Sequence, residues 1–315
     1  MRVAVLHDDV LGRPGASPDE LGVLEAVEAV TAALHELAHT PVRVAVGTRL
    51  EEWVAALNDA RAELVFNLCE GAGGASAGEV RVAAAVELLG IPMTGSGTET
   101  IALARRKDRV NALLSAAGLP VPRWTRAERL NGWSRYPAIV KPAAEDASVG
   151  ITQASVAGDE RALRLALADR SHGPLLVQEF LPGREFNVGI VGERVLPLAE
   201  IEFQELPGGG WPLVSYRAKW ETGSDEDLAT VPRCPADAQP ELVEEARALA
   251  RAAWTLVEGR GYGRIDLRAD AAGRLHVLEV NPNPDLSPSA GLTRMATADG
   301  WSYTDLIRRI VEEAA

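Results

Sequence analysis

The sequence predicts an α/β and α+β fold: a doubly wound parallel α/β unit first, then two α+β units built on antiparallel sheet. Three observations carry this. Residues 1–103 alternate short apolar runs with helical stretches on short links, the order that gives a parallel sheet with crossover helices. Beyond the LPVP loop at 119–122 the apolar runs come with hairpin-like spacing, the mark of antiparallel pairing. At 315 residues, with 47% hydrophobic and 24% charged residues, the chain suits two or three packed subdomains and has a globular composition.

The elements follow in order. VAVL (3–6) is a first buried strand, and residues 19–38 form a long helix with Leu24, Val27, Thr31, Leu34 and Leu37 or Ala38 on one apolar stripe. PVRVAV (41–46) and LVFNL (64–68) are strands on either side of a helix over 50–60. EVRVAAAVELLG (79–90) is a helix closed by Gly90, and IPMTG adds a short strand. A helix over 105–118 ends at Gly118, and LPVP serves as a hinge. YPAIVKP (136–142), ITQASV (151–156) and LLVQEFL (175–181) are strands, and residues 186–203 fold back about a V-G-E-R turn. A Gly/Pro-rich loop spans 206–212. Helix 236–258, strands 263–270 and 275–280 about the AAGR turn, a proline-rich loop and helix 302–314 complete the chain. Subdomains are expected over 1–103, 104–183 and 184–315.

Net charge is −13 with no Lys/Arg block, which argues against nucleic acid and anionic membrane as partners. A phosphate-bearing ligand would have to be drawn in by a local positive cluster. Cys69 and Cys234 are far apart and form neither a disulfide framework nor a metal-spacing pattern, so two free thiols in a reducing, cytoplasmic setting are expected. MRVAVLHDD reads as a buried strand, too short for a signal core, and no apolar run approaches the ~18 residues of a membrane span.

His35, Glu36 and His39 match H-E-x-x-H, a zinc-hydrolase pattern. The match lies where the apolar stripe runs out and Thr40–Pro41 stops the helix, and His7, His172 and His276 supply no third-ligand motif. Histidine near a helix C-terminus also complements the dipole. The expectation is coincidence.

The stronger constellation is Arg264, Asp266, Glu279 and Asn281. Arg264 and Asp266 share one face of their strand and Glu279 and Asn281 one face of the next, so pairing across AAGR can bring Asp266 near Glu279 and Asn281. Two carboxylates and an amide oxygen suit Mg²⁺ with positions left for phosphate or water. Arg264 suits developing negative charge. An ordinary charged hairpin face has the same pattern. Lys141 precedes AAEDASVG, whose small residues would let backbone N–H groups approach phosphates, and Lys107 starts a helix after a linker. GSGTET (95–100) lacks the third glycine of a dinucleotide fingerprint.

The collinear pieces VELLGIPMTGSG, AAGLPVP, YPAIVKPAAEDASVG, LLVQEFLPGREFNVGIVG, SYRAKW, GYGRIDLRAD and LEVNPNPDLSP together resemble the ATP-grasp ligases, in particular the D-alanine–D-alanine ligase family. The resemblance implies a nucleotide between two antiparallel sheets, with Lys107 and Lys141 on ATP phosphates. Glu145 and Ser148 would belong to the loop that closes over them. Gln178, Glu179, Phe180 and Leu181 would lie beside adenine, and Glu185 would meet the ribose. Asp266, Glu279 and Asn281 would hold two Mg²⁺ ions, with Mn²⁺ a substitute. Arg264 would support the oxyanion, and Lys219 would reach the transferred phosphoryl from the 206–225 loop. The substrates would be amino acids or small peptides, and a homodimer through the first subdomain is the family-level expectation.

The substrate pieces depart from that family. Of its glutamate–serine–tyrosine set, Glu20 supplies the acid, but Ala147 stands at the serine position and Trp220 at the tyrosine position. In place of S-P-G the chain has N-P-D (283–285), and Ala290 falls at a further serine position. Trp220, Asp285 and Ser289 are the expected substrate contacts. Asp285 would repel a bound carboxylate and suit an ammonium, unless it caps a turn in its loop. The leading expectation is an ATP-dependent carboxylate–amine ligase whose amine donor differs from D-alanine. Alternatives are a ligase of specialised metabolism joining or cyclising unusual amino acids, and a degenerate nucleotide-binding protein.

Overall fold

A computed structural model describes residues 1–315 apart from 12–14, 16, 74, 75, 170 and 315. β1 (Arg2–Asp8), β2 (Thr40–Val46) and β3 (Leu64–Asn67) form a parallel sheet in the order β2–β1–β3. Val3 to Leu6 are fully buried because helices cover both faces, which is why the run is continuously apolar. α1 (Pro18–Glu36) lays Val23, Val27, Val30 and Leu34 on one face. α2 (Leu50–Ala60) and α3 (Gly78–Leu88) cover the other with Trp53, Leu57, Val82 and Val86.

α5 (Lys107–Ala116) is the helix expected over 105–118, and α4 (Thr98–Ala104) is a further short helix just before it. The chain breaks at Arg106, where buried Asp108 is clasped by Arg106 and Arg126, and the Lys107 N–H goes to the Ala143 carbonyl at 3.0 Å. That break sets Lys107 at a helix start beside the 143–150 loop.

β4 (Trp124–Arg126), β5 (Ala138–Pro142), β6 (Val156–Ala157) and β7 (Leu175–Glu179) form an antiparallel sheet in the order β4–β7–β5–β6, with α6 (Glu160–Ala166) against it. The strand expected over 151–156 is a correction: Thr152 and Ser155 cap each other around a 3₁₀ turn, leaving two residues to pair with β5. IPMTG is likewise no strand, giving one bridge between Met93 and Val65.

The third sheet contains β8 (Glu185–Val191), β9 (Arg194–Val195), β10 (Ala199–Phe203), α7 (Tyr216–Trp220) and α8 (Asp225–Leu228) in its connection, then β11 (Thr230–Arg233). α9 (Pro240–Leu256) leads into β12 (Tyr262–Ala269) and β13 (Leu275–Pro282). The order is β11–β10–β8–β12–β13, with β9 on β8. α9 packs Ala246, Ala250 and Trp254 on the sheet's back. α10 (Gly291–Ala298) and α11 (Tyr303–Glu312) return to the first sheet, where Leu292, Leu306 and Ile310 share a core with Val27 and Leu34. No described helix is long and apolar enough to cross a membrane.

Candidate active site

The β12–β13 hairpin takes the register expected of it. Arg264 stands opposite Asn281 and Asp266 opposite Glu279, with a bulge directly after Asp266. Arg264 holds Asp266 in a fork, Nε to Oδ1 at 2.7 Å and Nη2 to Oδ2 at 2.9 Å. Asn187 of β8 donates to Oδ1 at 2.7 Å and Asn281 to Oδ2 at 2.9 Å. Burial opposes the Arg264 charge, but Asp266 outweighs it and raises the guanidinium further.

Glu279 meets the Lys107 ammonium at 2.5 Å, and the same ammonium reaches Asp146 Oδ1 and the Glu145 carbonyl at 2.6 Å each. Burial alone would raise Glu279; the attraction of Lys107 wins and brings it down to about 2. Asp146 is pushed up by burial against the pull of Lys107. Asp266 and Glu279, opposite each other on the hairpin, make a hard-oxygen set with Asn281, and the Lys107 ammonium on Glu279 shows that a cation is accommodated there. Mg²⁺ fits this chemistry.

Lys141, at the end of β5, and Lys219, on α7, differ from Lys107 in having no side-chain hydrogen bond or ion pair among the described residues. Burial holds Lys141 below the usual lysine range, with Glu279 opposing the shift and Lys107 adding to it. Lys219 is exposed by surface area, yet desolvation of its ammonium and then the nearby Arg264 lower it too.

The 143–150 loop runs between them. Ala147 and Ser148 have φ of 54° and 61°, consecutive left-handed residues without glycine. Ser148 Oγ donates to the Val214 carbonyl at 2.9 Å, and Glu145 accepts from Ser76 Oγ at 3.0 Å. Arg105 binds both Ser76 and the Ala144 carbonyl. Trp220 donates its indole N–H to the Ala147 carbonyl at 2.9 Å.

The end of β7 and the residues after it are tied down closely. Gln178 is 1% exposed with its side-chain nitrogen unpartnered; the Glu179 and Phe180 amides bind the Arg123 and Pro137 carbonyls, and Leu181 is buried. Glu185 pairs with Arg268 at 2.9 Å. Burial raises Glu185 against the pull of that arginine. The Arg268 guanidinium lies 4.7 Å from the Phe180 ring centroid and 5.2 Å from that of Phe203, and donates to the Pro212 carbonyl at 2.6 Å. Trp211 meets Phe180 edge-on at 5.6 Å.

A family model described as D-ala D-ala ligase C-terminus matches residues 113–312. The chain belongs to the D-alanine–D-alanine ligase family. It is therefore an ATP-dependent ligase that forms a C–N bond. It is 33% identical to a D-alanine–D-alanine ligase of Gluconobacter oxydans over 100% of this chain and 99% of that one. It is 31% identical to one of Granulibacter bethesdensis over 99% and 97%. Two crystal structures of a Bacillus anthracis D-alanine–D-alanine ligase share the fold. The one complexed with ATP has a TM-score of 0.78 at 18% identity, and the other a TM-score of 0.80 at 20% identity. Each covers 100% of this chain and 97% of its own.

Several expected residues of this ligase have structural occupations of their own. Glu20 accepts from Ser17 N at 2.8 Å and closes the capping box that starts α1. Asp285 caps its turn, accepting from the amide and hydroxyl of Ser287 at 2.8 and 2.9 Å. Ser289 is exposed, its carbonyl taken by Arg294. In HELAH, α1 ends at Glu36 and Ala38 turns left-handed at φ 58°, so His39 lies beyond the helix and the one-turn relation to exposed His35 is lost. GSG at 95–97 is a packing joint. Gly95 leaves room for Asn283, which accepts from the Ser96 amide at 2.9 Å, where a Cβ would fall 2.0 Å from its oxygen.

Sequence reasoning missed Asp146, Asn187, Arg268 and Arg105. Arg268 was within reach, because R-x-D-x-R over 264–268 puts it on the strand face of Arg264 and Asp266. Asp146 follows Glu145 directly, but nothing local says which of the two faces Lys107.

Proposed function

We propose that this ligase joins an amino-acid carboxylate to the amine of a second amino acid or peptide through an acyl phosphate, with D-alanine as the reference acyl donor. The observation that carries the reading is the pair of amines on Lys141 and Lys219. Neither forms an ion pair among the described residues, although they stand beside the Arg264–Asp266–Glu279 hairpin in a chain whose net charge is −13. A partly buried ammonium without an ion-pair partner, as at Lys141, costs stability, and a polyphosphate is the ligand that offsets it, with exposed Lys219 adding positive charge from the 206–225 lid.

The chemistry follows from need. An amine cannot displace oxide from a carboxylate, so the γ-phosphoryl of ATP is first passed to the carboxylate oxygen, giving a leaving group. Lys107 and Lys141 hold the phosphates, and Lys219 faces the phosphoryl in transfer. Two Mg²⁺ ions held by Asp266, Glu279 and Asn281 would neutralise phosphate charge. Gln178 to Leu181, with Glu185, line the base and ribose end. The closed 206–225 segment keeps water from the acyl phosphate. The amine then attacks, Arg264 supports the tetrahedral oxyanion, and phosphate departs.

Both Asp285 oxygens accept from Ser287, so this carboxylate is accounted for as a turn cap, and D-alanine stands as the reference amine donor too. A cytoplasmic setting fits the free thiols of buried Cys69 and half-buried Cys234.

The test is ADP release from purified protein with Mg-ATP, with D-alanine alone and then an amino-acid panel, products being read by mass spectrometry. Amide product with stoichiometric ADP supports the reading, and no amino-acid-dependent ADP release with any pair sinks it. Asp285→Gly should leave the donor profile unchanged, as loss of a turn cap should.

A further inference from the structure

We propose that the cavity between α9 and the turn after β8 is a second ligand site, built for a small zwitterion: a free amino acid or a dipeptide. It lies on the back of the third sheet. Ile265 of β12 faces the core shared with α9, so Arg264 and Asp266 stand on the opposite face.

The cavity measures about 320 Å³ and is lined by Glu193, Arg194 and Val195 on one side and by Glu244, Arg247 and Arg251 of α9 on the other. Both walls follow from packing. Ile190 and Val195 pair across β8 and β9 and share a core with Ala246 and Ala250, which holds the tip of this hairpin beside the helix. Glu244, Arg247 and Arg251 are three and four residues apart, so they line one stripe of α9.

The charges do not cancel within the protein. Arg194 is committed elsewhere, with Nε on Asp299 Oδ2 at 2.9 Å and Nη2 on Oδ1 at 2.5 Å. Arg247 donates from Nη1 to Glu244 at 3.0 Å, yet its Nε is buried with no partner among the described residues. Arg251 and Glu193 are exposed and form no hydrogen bond or ion pair among the described residues. That leaves a cationic pole at Arg251 and the spare N–H groups of Arg247, and an anionic pole at Glu193 on the facing wall. A buried N–H without an acceptor costs stability, so a ligand carboxylate is the group that Arg247 calls for. With a carboxylate on Arg247 and Arg251, an ammonium on the same molecule reaches Glu193. A polyanion would meet Glu193 and Glu244 as repulsion. The volume, at the small end of the roughly 300–1,000 Å³ of ligand pockets, suits a molecule of this size.

Both walls lead to Asp266. α9 runs through 257–261 into β12, and the turn at 192–193 closes β8, whose Asn187 donates to Asp266 at 2.7 Å. A zwitterion bridging α9 and the turn ties together the two strands that hold this carboxylate.

The experiment is titration calorimetry on the full chain with four probes: D-alanine, D-alanyl-D-alanine, N-acetyl-D-alanine, which lacks the ammonium, and D-alaninamide, which lacks the carboxylate. It is repeated on Arg251→Ala and Glu193→Gln. Heat from the opposite face of the sheet is common to wild type and variants and cancels in the comparison. At least one zwitterion is expected to bind with a component whose Kd rises about tenfold or more in each variant, the size of one charge-assisted hydrogen bond. Which zwitterion binds distinguishes the amino acid from the dipeptide. The acetylated and amidated probes should lack that component. Amide hydrogen exchange over 262–269 should slow when the zwitterion is added to wild type and not when it is added to the variants. The site is overturned if neither zwitterion binds at millimolar concentration, if both variants bind as the wild type does, or if the acetylated or amidated probe binds as tightly. No amide synthesis enters these readouts, so failure of the proposed reaction and failure of this site are told apart.

Discussion

Replacing Lys141 by Met should make the unliganded protein more stable and the nucleotide complex weaker. Lys141 is the penultimate residue of β5, opposite Leu176 of β7, and its ammonium is desolvated without a hydrogen bond or ion pair among the described residues. Methionine keeps the unbranched stem and removes the charge, relieving about 1–2 kcal/mol of unsatisfied burial. At about 2–4 °C per kcal/mol for a domain of 150–250 residues, the unliganded melting temperature should rise by about 2–8 °C. The phosphate loses a charge-assisted hydrogen bond of about 1.5–3 kcal/mol, so the Kd for Mg-ATP should weaken about 10- to 150-fold. Thermal melts with and without Mg-ATP, and titration calorimetry of the nucleotide, measure both sides. The reasoning is refuted if the variant melts several degrees lower than wild type while binding Mg-ATP equally well, since Lys141 would then be a structural residue.

Arg268→Leu should destabilise by about 3–5 kcal/mol, because Glu185 is left buried and unpaired; adding Glu185→Leu should recover much of the loss in denaturant melts. Glu279 has a folded value of about 2, below its unfolded value, so its contribution is present above about pH 4.5 and fades as pH falls toward 2. Asp146, shifted upward, offsets part of this, and Glu279→Gln should flatten the pH dependence of the urea midpoint between pH 6 and 2.5. A midpoint independent of pH in the wild type would contradict the Lys107–Glu279 pairing. His35→Ala combined with His39→Ala should leave ADP release intact and stability within about 0.5 kcal/mol, read by melting and a coupled assay.

The contrast between legible and hidden features runs through single residues. HELAH reads as a metal site by spacing alone, yet the left-handed turn at Ala38 breaks the helix that the spacing presumes. The helix expected over 105–118 forms as α5, but a separate helix, α4, precedes it, and the clasp of Asp108 by Arg126 from beyond the hinge is a contact no helical period announces. Asp285 is a turn cap because Ser287 follows at the right distance, and only in the folded loop do both carboxylate oxygens become engaged.

By itself the sequence determined the parallel first sheet, the antiparallel sheets and the facing of Arg264, Asp266, Glu279 and Asn281. These follow from local rules: continuous apolar runs mark strands covered on both faces, and a period of two assigns each side chain to a face once the turn sets the register. Tertiary structure alone decided that Lys107 spans Asp146 and Glu279, that Arg268 lies between Phe180 and Phe203, and that Trp220 closes on Ala147 and Gly22. Those partners come from different sheets and loops, and their meeting depends on how the layers stack. No period within one segment encodes the relative placement of two others.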